Sequence, residues 1–292
     1  MKRTYYTPKG GLPSQDKRLY APAVFTTSYA VIPAHSMTDI VVSFLPLWQD
    51  ARAWIIARPM TGFAETFSQL IVELAPGGGS TEPEPNPDAE AVIFCVSGQV
   101  ELTIDGTQHV LSGGGYAFIS PTSDWTILNA SASKATFHWI RKEYEKVEGI
   151  EAPPSFVTSD GAVEPTAMPG THGKWATTRF VEAEDLRHDM HVNIVTLKPG
   201  ATIPFAETHI MEHGLYVLQG QAKYLLNTDW VDVGPGDFMW LRAFCPQSCY
   251  AGGPGPFRYL LYKDVFRKVV GEISSQRTLS STNKRTIVAD LG

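Results

Sequence analysis

The strongest constraint on the fold of this chain is a long internal repeat. Leu74-Ala-Pro-Gly77 is followed by a loop, by the apolar run Val92–Val96 with Gly98 behind it, and by Gly113-Gly-Gly115 leading into Tyr116–Ile119. Leu197-Lys-Pro-Gly200 is followed by a loop, by Leu215–Leu218 with Gly220 behind it, and by Gly234-Pro-Gly236 leading into Phe238–Leu241. The spacing from Gly98 to Gly115 is nearly that from Gly220 to Gly236. A repeat of this length denotes two copies of one module and excludes a solenoid of small units. Within each copy the segments are short, β-branched and aromatic: Thr66–Leu74, Ala91–Val96, Gln99–Ile104 and Thr136–Ile140 in the first, Val192–Leu197, Gly214–Leu218, Gln221–Leu226 and Tyr259–Leu261 in the second. Turn signals such as Asp105-Gly106 and Gly252-Gly-Pro-Gly255 separate them. Many short strands at that rhythm predict a mostly β protein of sandwich or barrel type, with Ala183–Leu186 and Val265–Glu272 as its few short helices.

The order of proline-glycine turn, loop, strand, glycine, strand, glycine turn and strand resembles the cupin family. The resemblance implies a bicupin, two tandem double-stranded β-helix barrels related to the jelly roll. On that frame residues 1–150 form an N-terminal cupin with an N-terminal extension, 151–170 a linker, 171–273 a C-terminal cupin and 274–292 a polar tail.

Cupin metal ligands come from the strand after the first turn and the strand after the second. In the second copy the first of these stretches runs from Gly200 to Gly214 and holds Glu207, His209 and His213. Residues two apart on an extended strand leave the same face, and His213 keeps that parity if the chain stays extended. Gln247 occupies the region of the fourth ligand, between Cys245 and Cys249, which read as small buried hydrophobes. Two oxygen donors and two imidazoles without thiolate suit Mn²⁺ better than a Cys-rich zinc site, and Fe²⁺ and Zn²⁺ also take such a set. The first copy carries carboxylates in its loop but no histidine in the ligand stretch, since His35, His109 and His138 all fall outside it. One site per chain, in the second copy, is the expectation.

The run from Glu207 to Trp230 is similar to the signature of the (S)-ureidoglycine aminohydrolase family, as are Trp230–Asp237 and Phe257–Asp264. That resemblance implies a bicupin of purine (allantoin) breakdown, with manganese in its C-terminal cupin, hydrolysing (S)-ureidoglycine to (S)-ureidoglycolate and ammonia. It assigns the metal to Glu207, His209, His213 and Gln247. Substrate contacts fall on Tyr224, Tyr259, Lys263 and Gln247, and catalytic roles are expected of Lys263 and of Glu207, whose carboxylate is either a general base or only a ligand. Two other readings stay open at this point: another metal-dependent cupin enzyme, a dioxygenase or isomerase, and a bicupin that only binds a small molecule.

Charge and cysteine content narrow the partners. A formal charge of −6 argues against nucleic acid, and no apolar run has the length of a membrane-spanning helix. Basic residues at the start with no apolar stretch behind them do not read as a secretory signal, and three cysteines make no disulfide framework. A cytoplasmic enzyme with a small polar substrate is expected, as a homo-oligomer because of its exposed strand edges and catalytically empty first copy.

Overall fold

The computed structural model describes residues 22–37, 43–59 and 63–265. Its architecture is two β-barrels packed side by side. The first is a nine-stranded sheet whose central strands are Ser68–Ser80, Ala89–Ser97 and Ala135–Glu143. The second combines an eight-stranded sheet, centred on Met190–Leu197, His213–Gln219 and Phe257–Asp264, with a three-stranded one. That smaller sheet joins Ala222–Leu226 to Asp229–Val233 and Gln247–Ala251. Every strand pairing among the described residues is antiparallel, and each strand named in the sequence reading overlaps an observed one.

Strand alternation sorts the side chains into three cores, because successive residues face opposite sides of a sheet. Leu70, Val72, Leu74, Ile93, Phe137 and Trp139 fill the first barrel. Val195, Leu197, Leu215, Val217, Tyr224 and Tyr259 fill the second. Their neighbours on the outward faces, Ile71, Phe94, Tyr116, Val192, Ile194, Leu260 and Tyr262, meet in a third core between the barrels. Gly214 is required there: a Cβ at this position would sit 2.6 Å from the Phe67 ring, so only glycine admits so close an approach.

Three sequence expectations change. Ala183–Leu186 forms turns instead of a helix, and among the described residues the short helices that do form are 3-10 turns such as Ala34–Ser36 and Asp160–Ala162. Val24–Phe25 and Tyr29–Ile32, which precede the first repeat, join the sheet of the second barrel by pairing Tyr29–Ile32 with Phe238–Leu241. The stretch read as a linker carries strands of both sheets, since Phe156–Ser159 pairs with Gly115–Ile119 and Thr166–Ala167 with Trp175–Thr178. The expected helix at Val265–Glu272, beyond its first residue, and the polar tail lie outside the described residues.

A buried carboxylate also ties the barrels together. Glu212 accepts hydrogen bonds from the backbone N–H of Glu65 at 2.6 Å and of Thr66 at 2.9 Å, from the Thr66 hydroxyl at 2.5 Å and from Trp240 Nε1 at 2.6 Å. Replacing it with alanine leaves three N–H donors unpaired, while the Thr66 hydroxyl keeps the Tyr262 hydroxyl at 2.9 Å. Glu212→Ala is expected to lower stability by at least about 3 kcal/mol, given roughly 1–3 kcal/mol for each group stranded in this way. Thermal unfolding followed by circular dichroism checks this, and an unchanged midpoint would refute the clasp.

Candidate active site

Glu207 and Gln247 face each other across the mouth of the second barrel. Each donates its backbone N–H to the other's carbonyl at 2.9 Å, so the pair is directly in register and both side chains enter one cavity. His213 opens the strand His213–Gln219, with Lys263 as its neighbour in register, and alternation turns both inward with Leu215 and Leu261. The chain does not stay extended between His209 and His213: it bends at Ile210 and Met211, with His209 held by a 2.6 Å bond from the Phe244 N–H to its carbonyl. The bend replaces strand parity as the reason the two imidazoles converge, their ring centres 4.9 Å apart. Glu212 takes the other face, as described above.

The donors are arranged as two pairs. Glu207 Oε1 lies 3.4 Å from His209 Nε2, and Gln247 Nε2 lies 3.3 Å from His213 Nδ1. These separations are close to the ~3 Å edge between neighbouring ligands on an ion with bonds of about 2.1 Å. Among the described residues no three His, Cys, Asp or Glu side chains form a metal-binding group by themselves, and here the fourth donor is a carboxamide. Tyr224 donates to Gln247 Oε1 at 3.1 Å, and a hydroxyl can pair with either end of a carboxamide. A half-turn of the amide thus exchanges its oxygen toward His213 without losing the tyrosine. Burial, with smaller effects of His209 and Lys263, holds the His213 imidazole down at about 3, so it is neutral, the form in which an imidazole ligates a metal. One carboxylate, two imidazoles and a carboxamide oxygen fit a divalent cation of the Mn²⁺, Fe²⁺ or Zn²⁺ kind.

The remaining residues of the sequence reading fall around this set. Tyr259 and Lys263 line the same cavity of about 150 Å³. Burial, followed by the charge of Arg179, lowers the Lys263 pKa. Tyr224 is fully buried behind Gln247, its hydroxyl 3.5 Å from that of Tyr259, and burial raises the pKa of both phenols. Cys245 and Cys249 are buried in the apolar core. Thr177, Arg179 and Asn193 also line the cavity, and sequence reasoning missed all three because they precede the ligand motif.

Superposing the repeat by strand register explains why the first barrel lacks such a set. Leu74 pairs with Ala135 as Leu197 pairs with Phe257, and Ile104 pairs with Trp125 as Leu226 pairs with Gln247. Counted from these pairs and from Gly98 and Gly220, His213 corresponds to Ala91, Gln247 to Trp125, Tyr259 to Phe137 and Asn193 to Leu70. All four counterparts are buried apolar residues of one core. Bulky rings occupy the place where the second barrel keeps its cavity.

This fold and cavity define a bicupin, and a cupin-domain model matches both halves, at residues 70–141 and 193–262. The chain is 30% identical over 231 residues to the (S)-ureidoglycine aminohydrolase of Escherichia coli K12, covering 79% of this chain and 87% of that one. It is 29% identical over 255 residues to the enzyme of the same name from Arabidopsis thaliana, covering 87% and 81%. A Pseudomonas aeruginosa crystal structure, that of a candidate glyoxylate-induced protein, is 60% identical with a TM-score of 0.83, over 90% of this chain and 97% of that one. The chain belongs to the (S)-ureidoglycine aminohydrolase family.

Proposed function

We propose that this protein hydrolyses (S)-ureidoglycine to (S)-ureidoglycolate and ammonia, using a divalent cation, Mn²⁺ by preference, held by Glu207, His209, His213 and Gln247. The observation that carries the reading is the convergence of those four side chains with Lys263 in one cavity of about 150 Å³, a volume suited to a small polar substrate. Family membership supplies the substrate.

The reacting carbon of ureidoglycine carries an amine, a ureido nitrogen, a hydrogen and a carboxylate. A bound cation supplies positive charge and a template for the substrate's heteroatoms. Lys263 pairs with the carboxylate, as a buried ammonium does where opposite charge is brought to it. Tyr259 hydrogen-bonds beside it, and Tyr224 holds the Gln247 carboxamide in place. Glu207 takes a proton from water as the oxygen bonds to carbon, then returns it to the departing amine, so that one C–O bond forms, one C–N bond breaks and ammonia leaves. Gln247 is neutral and moves no proton.

The test is ammonia release from freshly generated (S)-ureidoglycine, with and without protein, because the substrate decays unaided. The expected result is acceleration above that background and ureidoglycolate of the S configuration. Absence of acceleration by metal-replete protein would remove the substrate from this site.

A further inference from the structure

One wall of the cavity carries polar side chains that this mechanism leaves unused. In Met190–Leu197, Val192 and Ile194 pack between the barrels, so His191, Asn193 and Val195 turn inward. Asn193 is 3% exposed and lines the cavity, yet its Oδ1 has no hydrogen-bond partner. His191 Nε2, one inward position along, is buried and unpartnered as well. Stranding a buried carbonyl oxygen is costly, and the first barrel avoids the cost by having Leu70 in this place. The unpaired atom is therefore an acceptor set aside for a donor that enters the cavity.

The same wall holds surplus positive charge. Arg179 is half-buried at the end of Trp175–Thr178 and lines the cavity with Lys263. Neither has a carboxylate ion-pair partner among the described residues. Two cations and one unpaired carbonyl oxygen complement a molecule with a carboxylate at one end and amide N–H groups at the other.

We infer that Asn193 and Arg179 form the recognition wall of this site, Asn193 Oδ1 accepting a hydrogen bond from the terminal –NH2 of the carbamoyl group and Arg179 joining Lys263 on the carboxylate. Which group meets which residue rests on the ureidoglycine reading. The wall answers a problem that substrate poses: the reacting carbon bears both the amine and the ureido nitrogen, and only the amine should leave. Tethering the carbamoyl end at Asn193 holds the ureido nitrogen away from Glu207 and presents the amine.

Binding separates this inference from turnover. The probes are N-carbamoylglycine and N-acetylglycine, which differ in having –NH2 or –CH3 at the position in question, titrated calorimetrically into the full-length, metal-replete protein. The wild type is expected to favour N-carbamoylglycine by about tenfold or more, since a site built around a hydrogen bond rejects the analogue that lacks it. Asn193→Leu, close in volume, and Asn193→Ala should both bring the ratio near one. Arg179→Met keeps the aliphatic stem, and should weaken both ligands by about tenfold while preserving their ratio. A preference that survives both Asn193 variants, an Arg179→Met protein that binds like the wild type, or a wild type that binds neither probe would overturn the inference. Carbamoyl preference without ammonia release from (S)-ureidoglycine would overturn the substrate reading and leave the wall standing. Ammonia release with an unchanged preference in the variants would do the reverse.

Discussion

Stripping the protein with a chelator is expected to return ammonia release from (S)-ureidoglycine to the rate of unaided decay, a fall on the order of 10³-fold, with recovery on adding Mn²⁺. The size follows from what the cavity contains. Glu207 is the one carboxylate among its lining residues, and Arg179 and Lys263 are its basic ones. A cation held by these residues would join the Glu207–His209 pair, 3.4 Å apart, to the His213–Gln247 pair, 3.3 Å apart, and would supply positive charge to the cavity. Stripping it removes several kcal/mol of charge stabilisation from the reacting groups. His213→Ala should lose the same activity and fail to regain it with Mn²⁺ at concentrations that restore the stripped wild type. The buried, neutral imidazole of His213 cannot be replaced by water without enlarging the cavity. Metal content by atomic emission, measured beside activity, checks both arms. Full activity in protein shown to be metal-free would refute the ligand set.

The barrels were legible because their determinants are local. Glycine turns and period-two apolar runs fix where strands lie, and the repeat fixes that there are two modules. Long-range pairing left no such mark. Tyr29–Ile32 could belong to either barrel by its own alternation, and only its register with Phe238–Leu241 decides. Gln49–Ala57 was missed for another reason: shifts of register at both ends against Ser68–Ser80 blur its alternation. In the site, Glu207 and His209 could be read from spacing, while the approach of His209 to His213 depends on a bend that spacing does not encode. Asn193 had a readable signal in the repeat itself. Comparing the copies position by position sets Asn193 against Leu70, His213 against Ala91 and Gln247 against Trp125, a polar set in one barrel where the other is apolar.

Replacing Glu207 with glutamine separates its two roles. The carboxamide keeps an oxygen donor in the position of the carboxylate, and the backbone pairing of residue 207 with Gln247 does not involve the side chain. Metal is therefore expected to bind Glu207→Gln, weakened by the loss of the charge that the carboxylate brings to the cavity. Proton transfer is a different matter, since a carboxamide is no base at neutral pH. Gln247 cannot take over for the same reason, and the Tyr224 and Tyr259 phenols are held protonated by burial. His213 is held neutral, but its Nδ1 already faces the Gln247 carboxamide. With general acid–base catalysis contributing roughly 10²–10⁴-fold, kcat is expected to fall by that factor in the variant at saturating Mn²⁺, with metal occupancy near that of the wild type. The measurement is kcat at several Mn²⁺ concentrations together with bound metal per chain. If activity instead follows occupancy one for one and recovers fully at high Mn²⁺, Glu207 is a ligand alone and the proton must travel by solvent.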